Sequence, residues 1–156
     1  GGQQRKACGS AADKTEFRGL RCLVVEDNPI NQQVAVAMTR GMGLTVELAA
    51  NGQIALDMMA AAGSPFDVVL MDVQMPVLNG YEATIEIRKR EKAGTLGGGK
   101  RVPIIAMTAN ASANDRAECL TVGMDDYMCK PVYPQVLREK IRSYVAHLVE
   151  SREAGM

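Results

Sequence analysis

Five short strand-like runs, each followed by a segment with helical periodicity, limit what this chain of 156 residues can fold into. The runs start near residues 21, 44, 68, 102 and 126, and each is shorter than a typical helix. Residues 68–71 read Val-Val-Leu-Met, which is typical of a strand buried on both faces. The alternation of strands and helices predicts an α/β fold with a parallel sheet. Right-handed crossovers make 2-1-3-4-5 the simplest doubly wound, flavodoxin-like order of five strands.

Helix signals occupy the intervening segments. Asn28-Pro29 combines a favoured N-cap with a proline at the first helical position, and apolar residues follow at helical spacing at Ile30, Val34, Ala37 and Met38. A third helix is predicted from about Tyr81 to Glu91, with Ile85 and Ile87 turned inward. Its charged side chains are interpreted as a solvated face, namely Glu82, Glu86, Arg88, Lys89 and Arg90.

Composition excludes several classes of protein. With 47% hydrophobic and 23% charged residues the chain is globular, and 18 basic residues balance 18 acidic ones, so we expect neither nucleic-acid binding nor membrane contact. No apolar run approaches the roughly 20 residues of a membrane span. The four cysteines lack a Cys-x-x-Cys pair, which favours reduced thiols and a cytoplasmic location. We interpret residues 1–17 as a disordered linker or cloning remnant, 18–150 as one domain and 151–156 as a tail.

Polar residues end four of the five predicted strands. Glu26 and Asp27 follow the first strand, Asp72 ends the third, Thr108 the fourth and Lys130 the fifth. Because parallel strands present their carboxyl ends at one edge of the sheet, these side chains should converge there. Any one of them alone is more often structural, but the whole set is hard to assign to chance.

Three converging carboxylates repel one another, and a divalent cation relieves that repulsion. Oxygen ligands without His or Cys favour Mg²⁺, which leaves coordination positions for water and a phosphoryl group. Lys130 and Thr108 suit phosphoryl oxygens, because one supplies a positive charge and the other a hydroxyl donor. Asp72 can then act as a nucleophile that forms an acyl phosphate.

Four stretches carry a resemblance to a known family: residues 23–31, 71–80, 105–109 and 127–131. In this combination the sequence resembles a response-regulator receiver domain, most closely those of hybrid sensor histidine kinases. The resemblance extends over about residues 20–148. Two features depart from the commonest pattern. Glu26 stands where an Asp is more usual, and the loop from Lys92 to Arg101 is longer than in minimal receivers.

The resemblance implies a role for each site residue. Asp72 would be the phosphoacceptor. Mg²⁺ would be bound by Asp27, Asp72 and the Gln74 backbone carbonyl, and by Glu26 through water. Phosphoryl oxygens would be bound by Thr108, Lys130 and the backbone amides of Val73 and Ala109.

The resemblance also implies a conformational switch and residues that tune the lifetime of the acyl phosphate. Tyr127 occupies the position of the switch aromatic, which turns inward when Thr108 moves toward the phosphoryl group. The Lys130–Pro131 peptide would be cis. Gln74 and Asn110 would tune the hydrolysis of the acyl phosphate.

The implied function is that of a phosphorelay receiver. It would take a phosphoryl group from a histidine kinase or a histidine-containing phosphotransfer protein, and it would catalyse its own phosphorylation and slow dephosphorylation. The parent protein would be a hybrid histidine kinase, with this domain in the cytoplasm.

Three alternatives remain open at this stage. A receiver-like interaction module would bind Mg²⁺ without taking up phosphoryl groups. A phosphohydrolase that resembles the haloacid-dehalogenase group would carry a second Asp two residues after the nucleophile, where this chain has Gln74. A flavin-binding protein of the same fold would place a phosphate against an acidic pocket, which disfavours it.

Overall fold

The sheet and its five helices are described here from a computed structural model, which covers residues 16–61, 66–75, 77–96, 100–109 and 113–154. In chain order the strands are β1 (Arg21–Val25), β2 (Thr45–Ala49), β3 (Val68–Asp72), β4 (Ile104–Thr108) and β5 (Asp126–Cys129). The helices are α1 (Pro29–Gly41), α2 (Gly52–Ala61), α3 (Gly80–Ala93), α4 (Ala113–Val122) and α5 (Pro134–Ala154).

All strand pairs are parallel, and the order across the sheet is β2-β1-β3-β4-β5, which confirms the predicted topology. The register places Val25 opposite Met71, Asp72 opposite Met107 and Thr108 opposite Cys129. The residues that follow these strands therefore meet at one edge of the sheet, as the sequence predicted.

Each face of the sheet is covered by its own core. Residues of α2, α3 and α4 pack with Val69 and Met71 on one face. Residues of α1 and α5 pack with Val68 and Leu70 on the other. Because β3 contributes alternate residues to both cores, it is buried along its whole length. The central strand is thereby fixed from both sides, and so is the carboxylate at its end.

Helix α1 begins as predicted, since the Asn28 side chain accepts hydrogen bonds from the Ile30 and Asn31 amides. The apolar spacing that predicted this helix marks its buried side only in part. Ile30 is 71% exposed and Val34 48% exposed, whereas Met38 packs against the core beside the buried Ala35, Thr39 and Met42. Thr39 is tolerated in the core because its hydroxyl donates to the Ala35 carbonyl within the helix.

The ends of the domain differ from the predicted boundaries. Residues 1–17 were expected to be a disordered linker. The structure describes Glu16 and Phe17 of this segment, and both contact the domain. Phe17 is fully buried, and Glu16 forms ion pairs with Arg138 and Arg142 on α5. At the other end α5 continues to Ala154, into the segment predicted as a tail. Residues 16 and 17 therefore pack against the domain, and α5 extends beyond the predicted boundary at residue 150.

Candidate functional site

The predicted site residues come together at the carboxyl edge of β1, β3, β4 and β5. Asp72 and Thr108 are the last residues of β3 and β4, and both are buried. Glu26 and Lys130 are the first residues after β1 and β5. The Lys130 amide also donates to the Thr108 carbonyl at 2.8 Å, which holds the lysine beside β4.

Lys130 links two buried carboxylates at the centre of this edge. Its Nζ lies 3.0 Å from Glu26 Oε1 and 3.1 Å from Asp72 Oδ1. Glu26 is 1% exposed and Asp72 3% exposed, so both acids depend on the protein for charge compensation. Glu26 also accepts a hydrogen bond from the Asn28 amide at 3.2 Å. One lysine cannot neutralise both carboxylates, and the site carries an excess of negative charge.

The excess charge shifts the protonation of Asp72. Burial, together with the hydrogen bond and negative charge of Glu26, raises the pKa of Asp72 to about 7, against the opposing effect of Lys130. Burial also pushes the pKa of Glu26 upward, but hydrogen bonds from Asp72, Lys130 and the Asn28 amide outweigh it and lower this pKa overall.

The donor set fits a hard divalent cation. One carboxylate oxygen from each of Glu26, Asp27 and Asp72 lies within 4.8 Å of the others, and Asp27 is exposed to solvent. An all-oxygen set with one open side is what Mg²⁺ prefers, since this ion keeps several of its waters. Mg²⁺ would supply the positive charge that lets Asp72 ionise beside Glu26.

Two glycines allow the loop after Asp72 to pack against the site. A Cβ atom on Gly80 would overlap the Asp72 carbonyl oxygen and lie 2.9 Å from the Val73 Cα. A Cβ atom on Gly52 would lie 2.5 Å from the Leu78 carbonyl oxygen. In the sequence each of these glycines follows an asparagine, a pair that is typical of turns. Their role in positioning Asp72 depends on contacts between elements that a local pattern does not contain.

The predicted contact of the Val73 amide with a phosphoryl group stays a prediction, and in the structure this amide has another partner. The Val73 amide donates to the Met107 carbonyl at 3.1 Å, because the β3–β4 ladder continues one residue beyond Asp72. The next amide is directed at the site instead, since the Gln74 N–H donates to Asp72 Oδ1 at 3.3 Å. In the structure the Gln74 amide, and not that of Val73, is the backbone donor to the Asp72 carboxylate. The predicted role of the Gln74 carbonyl stays a prediction.

The remaining predicted residues lie around this centre. Ala109 follows Thr108 and is exposed, and Tyr127 is half-buried on β5. The Lys130–Pro131 peptide is cis, as the resemblance implied. Asn110 lies outside the described residues.

An apolar surface adjoins the acidic centre. A cavity of about 140 Å³ opens beside Glu26 and Lys130, and α1 contributes Val34, Ala35 and Met38 to its lining. Ile30 and Val34 expose their side chains on the same helix. Within the part of the chain that the structure describes, no helix is long and apolar enough to cross a membrane.

Comparison with known proteins matches the chain to one family model and to several related proteins. The family model for the response regulator receiver domain matches residues 22–142. Histidine kinase 5 of Arabidopsis thaliana is 40% identical over 145 residues, which cover 80% of this chain but 16% of the kinase. The chain thus spans a small part of this much longer relative.

Two solved structures of receiver domains share the fold. The receiver domain of a sensor histidine kinase from Pseudomonas aeruginosa PAO1 holds a magnesium ion in its active site cleft. It is 43% identical with a TM-score of 0.71, over 82% of this chain and 98% of that one. A receiver domain from Saccharomyces cerevisiae, co-crystallised with a histidine phosphotransfer protein, is 35% identical with a TM-score of 0.76, over 85% and 93% of the two chains.

Proposed function

We propose, since this chain belongs to the response regulator receiver domain family, that it accepts a phosphoryl group from a phosphohistidine onto Asp72 in a phosphorelay. The observation that carries this proposal is the contact of a single lysine with two buried acids. Lys130 Nζ lies 3.1 Å from Asp72 Oδ1 and 3.0 Å from Glu26, in a three-carboxylate cluster that suits Mg²⁺. A carboxylate with an adjacent cation and a metal site is the arrangement expected of a phosphoryl acceptor.

The proposed reaction is an in-line transfer from nitrogen to oxygen. A carboxylate oxygen of Asp72 attacks phosphorus, the phosphorus–nitrogen bond of the donor histidine breaks, and the imidazole leaves as the neutral or protonated base. Lys130 stabilises the charge on the transferred oxygens, and the Thr108 hydroxyl and the Gln74 and Ala109 amides offer hydrogen bonds to them. Glu26, Asp27 and Asp72 would hold Mg²⁺, which would supply further neutralisation of the phosphoryl charge.

Phosphorylation is proposed to shift a two-state equilibrium. The new phosphoryl group attracts Thr108 and Lys130, which lie on β4 and directly after β5. Inward movement of Thr108 opens space for the Tyr127 ring, and the surface formed by α4, β5 and α5 changes. The change in charge at Asp72 is thereby converted into a change of a distant surface.

Phosphoryl uptake from a small donor tests this function. The protein is incubated with Mg²⁺ and acetyl phosphate, and its intact mass is measured beside Asp72→Asn and the matched surface variant Asp57→Asn. We expect the gain of one phosphoryl group in the wild type and in Asp57→Asn, and none in Asp72→Asn or after removal of Mg²⁺. A stable gain in Asp72→Asn contradicts the assignment. Mg²⁺ binding without any gain in the wild type would favour an interaction module.

The natural donor is proposed to be a histidine kinase or a histidine-containing phosphotransfer protein. The S. cerevisiae neighbour forms a complex with such a phosphotransfer protein. In this chain, Ile30 and Val34 form an exposed apolar surface on α1 next to the carboxylates. A partner seated there could bring its histidine to Asp72 while it buries these side chains.

The chain is further proposed to act as the receiver part of a hybrid histidine kinase in the cytoplasm. The support is its likeness to a segment that makes up 16% of an Arabidopsis histidine kinase. Buried, free Cys22 and Cys119 agree with a reducing compartment.

A further inference from the structure

The Tyr127 ring lies close to two cations that belong to different helices. The guanidinium carbon of Arg116, on α4, lies 5.3 Å from the ring centroid, and Lys140 Nζ, on α5, lies 5.6 Å from it. Both distances fall within the range of cation–π attraction. Lys140 is held in place by an ion pair with Asp126 at 3.0 Å. The ring is thus attached to both helices that flank β5.

We propose that Arg116 and Lys140 form a cationic clamp that holds Tyr127 in its resting position and so sets the threshold of the switch. This inference rests on the proposed function, because it assigns a regulatory role to residues around the proposed switch aromatic. A ring that moves toward Thr108 leaves both cations, so the clamp stabilises only the resting state. Arg116 and Lys140 are therefore positioning residues that act on Asp72 through Tyr127.

Thermodynamic linkage determines whether loss of the Arg116 contact strengthens or weakens the binding of a phosphoryl analogue. A contact made only in the resting state lowers the population of the active state, and with it the affinity for any ligand that selects the active state. Loss of the Arg116 contact should therefore strengthen the binding of a phosphoryl analogue. An exposed cation–π contact corresponds to about a two- to fivefold change in affinity.

The simple electrostatic alternative predicts the opposite sign. Removal of a positive charge makes the surroundings of an anion site more negative, which weakens anion binding or, when screened by salt, leaves it unchanged. Unfolding or loosening of α4 would also weaken binding. Tighter binding in a charge-removing variant is thus a result that the clamp alone predicts.

The test measures the affinity for beryllofluoride in the presence of Mg²⁺ by isothermal titration calorimetry. We expect about two- to fivefold tighter binding in Arg116→Gln, near wild-type binding in Arg116→Lys, and no change in Glu118→Gln, an exposed matched control on the same helix. Unchanged or weaker binding in Arg116→Gln overturns the inference. The effect should vanish in a Tyr127→Leu background, and its persistence there would also overturn the inference.

A second measurement separates this inference from the proposed function. Fluorotyrosine labelling and ¹⁹F NMR report the environment of the Tyr127 ring without any phosphoryl analogue. We expect Arg116→Gln to shift this resonance in the same direction as beryllofluoride shifts it in the wild type. If the wild type binds no beryllofluoride, we expect the shift that corresponds to a more buried ring. An unchanged resonance overturns the clamp, whereas a wild type that binds no beryllofluoride counts against the proposed function alone.

Discussion

At the scale of single residues, Asp72 shows how the site stores electrostatic strain. Its carboxyl group is 3% exposed, and burial with the hydrogen bond and charge of Glu26 raises its pKa to about 7, although Lys130 lies 3.1 Å away. The repulsion between the Asp72 and Glu26 carboxylates favours cation binding, because a bound cation relieves it. In the metal-free protein, the raised pKa of Asp72 should therefore make the free energy of unfolding depend on pH.

Replacement of Asp72 by Asn should stabilise the metal-free protein above neutral pH. The folded-state pKa of Asp72 is about 7, above the unfolded value of about 3.9. The protonated form therefore contributes stability below about pH 4, and this contribution is lost as the pH rises to about 7. We expect the stability of Asp72→Asn relative to wild type to rise by about 3 to 4 kcal/mol across this window, because the folded and unfolded pKa values differ by about 3.

Urea unfolding in EDTA at several pH values measures this difference, with Asp57→Asn as the control for loss of a surface charge. A difference between Asp72→Asn and wild type that stays constant from about pH 4 to about pH 8 would contradict the raised pKa.

Gly80 tests the packing that positions Asp72. Its substitution by Ala places a methyl group against the Asp72 carbonyl and the Val73 Cα. We expect Gly80→Ala to lose about 2 kcal/mol of stability, and the remaining folded protein to take up phosphoryl groups more slowly. Gly41→Ala is the matched control, because a Cβ at the end of α1 meets nothing within 4 Å. This control should be neutral or slightly more stable, and equal losses in both variants would refute the packing role.

At the scale of elements, α3 departs most from its sequence prediction. Arg88 was expected on a solvated face, but its side chain is 13% exposed and forms ion pairs with Glu91 and Asp125. It also donates to the Gly123 and Val102 carbonyls, both at 2.8 Å. Ile85, expected inward, is 50% exposed instead. Helical periodicity places residues on a face, but the partners that make burial of an arginine favourable come from distant segments of the chain.

Arg88 should therefore matter far more to stability than its neighbour Arg90. We expect Arg88→Met to cost about 2 kcal/mol, since it leaves the Val102 carbonyl without its charged donor and leaves Arg101 as the remaining arginine on Asp125 and the Gly123 carbonyl. Arg90→Gln breaks a half-exposed pair with Glu86 and should cost about 0.5 kcal/mol or less. Urea denaturation compares the two, and a similar loss in both variants would show that the network around Arg88 contributes no more than a surface pair.

At the scale of the whole molecule, the topology and the assembly of the site were predictable. Alternating strands and helices, with polar residues after the strands, fix which end of the sheet gathers them, so Glu26, Asp72, Thr108 and Lys130 could be placed together in advance. The hydrogen-bond partners of individual groups could not be predicted, because they depend on the register between strands and on packing between helices. The engagement of the Val73 amide with Met107 is an example.

The position of α1 leads to a prediction about the partner. Ile30 is 71% exposed on α1, which covers one face of the sheet together with α5, and Leu120 is 58% exposed on α4, which covers the other face. We expect Ile30→Asp to slow phosphoryl transfer from a histidine phosphotransfer protein about tenfold or more, and to leave uptake from acetyl phosphate unchanged. Leu120→Asp, the matched control, should affect neither rate. Equal transfer in the two variants would exclude α1 as the docking surface.

The central claim is that the Asp72 side chain itself becomes an acyl phosphate, and chemical trapping tests it most directly. Borohydride reduces an acyl phosphate to the primary alcohol and releases phosphate, so peptide mass spectrometry can locate the modified residue. After incubation with Mg²⁺ and acetyl phosphate we predict homoserine at position 72, and unmodified aspartate there when Mg²⁺ is omitted. A phosphorylated protein in which position 72 remains aspartate, with the phosphoryl group recovered on another residue, would contradict the account.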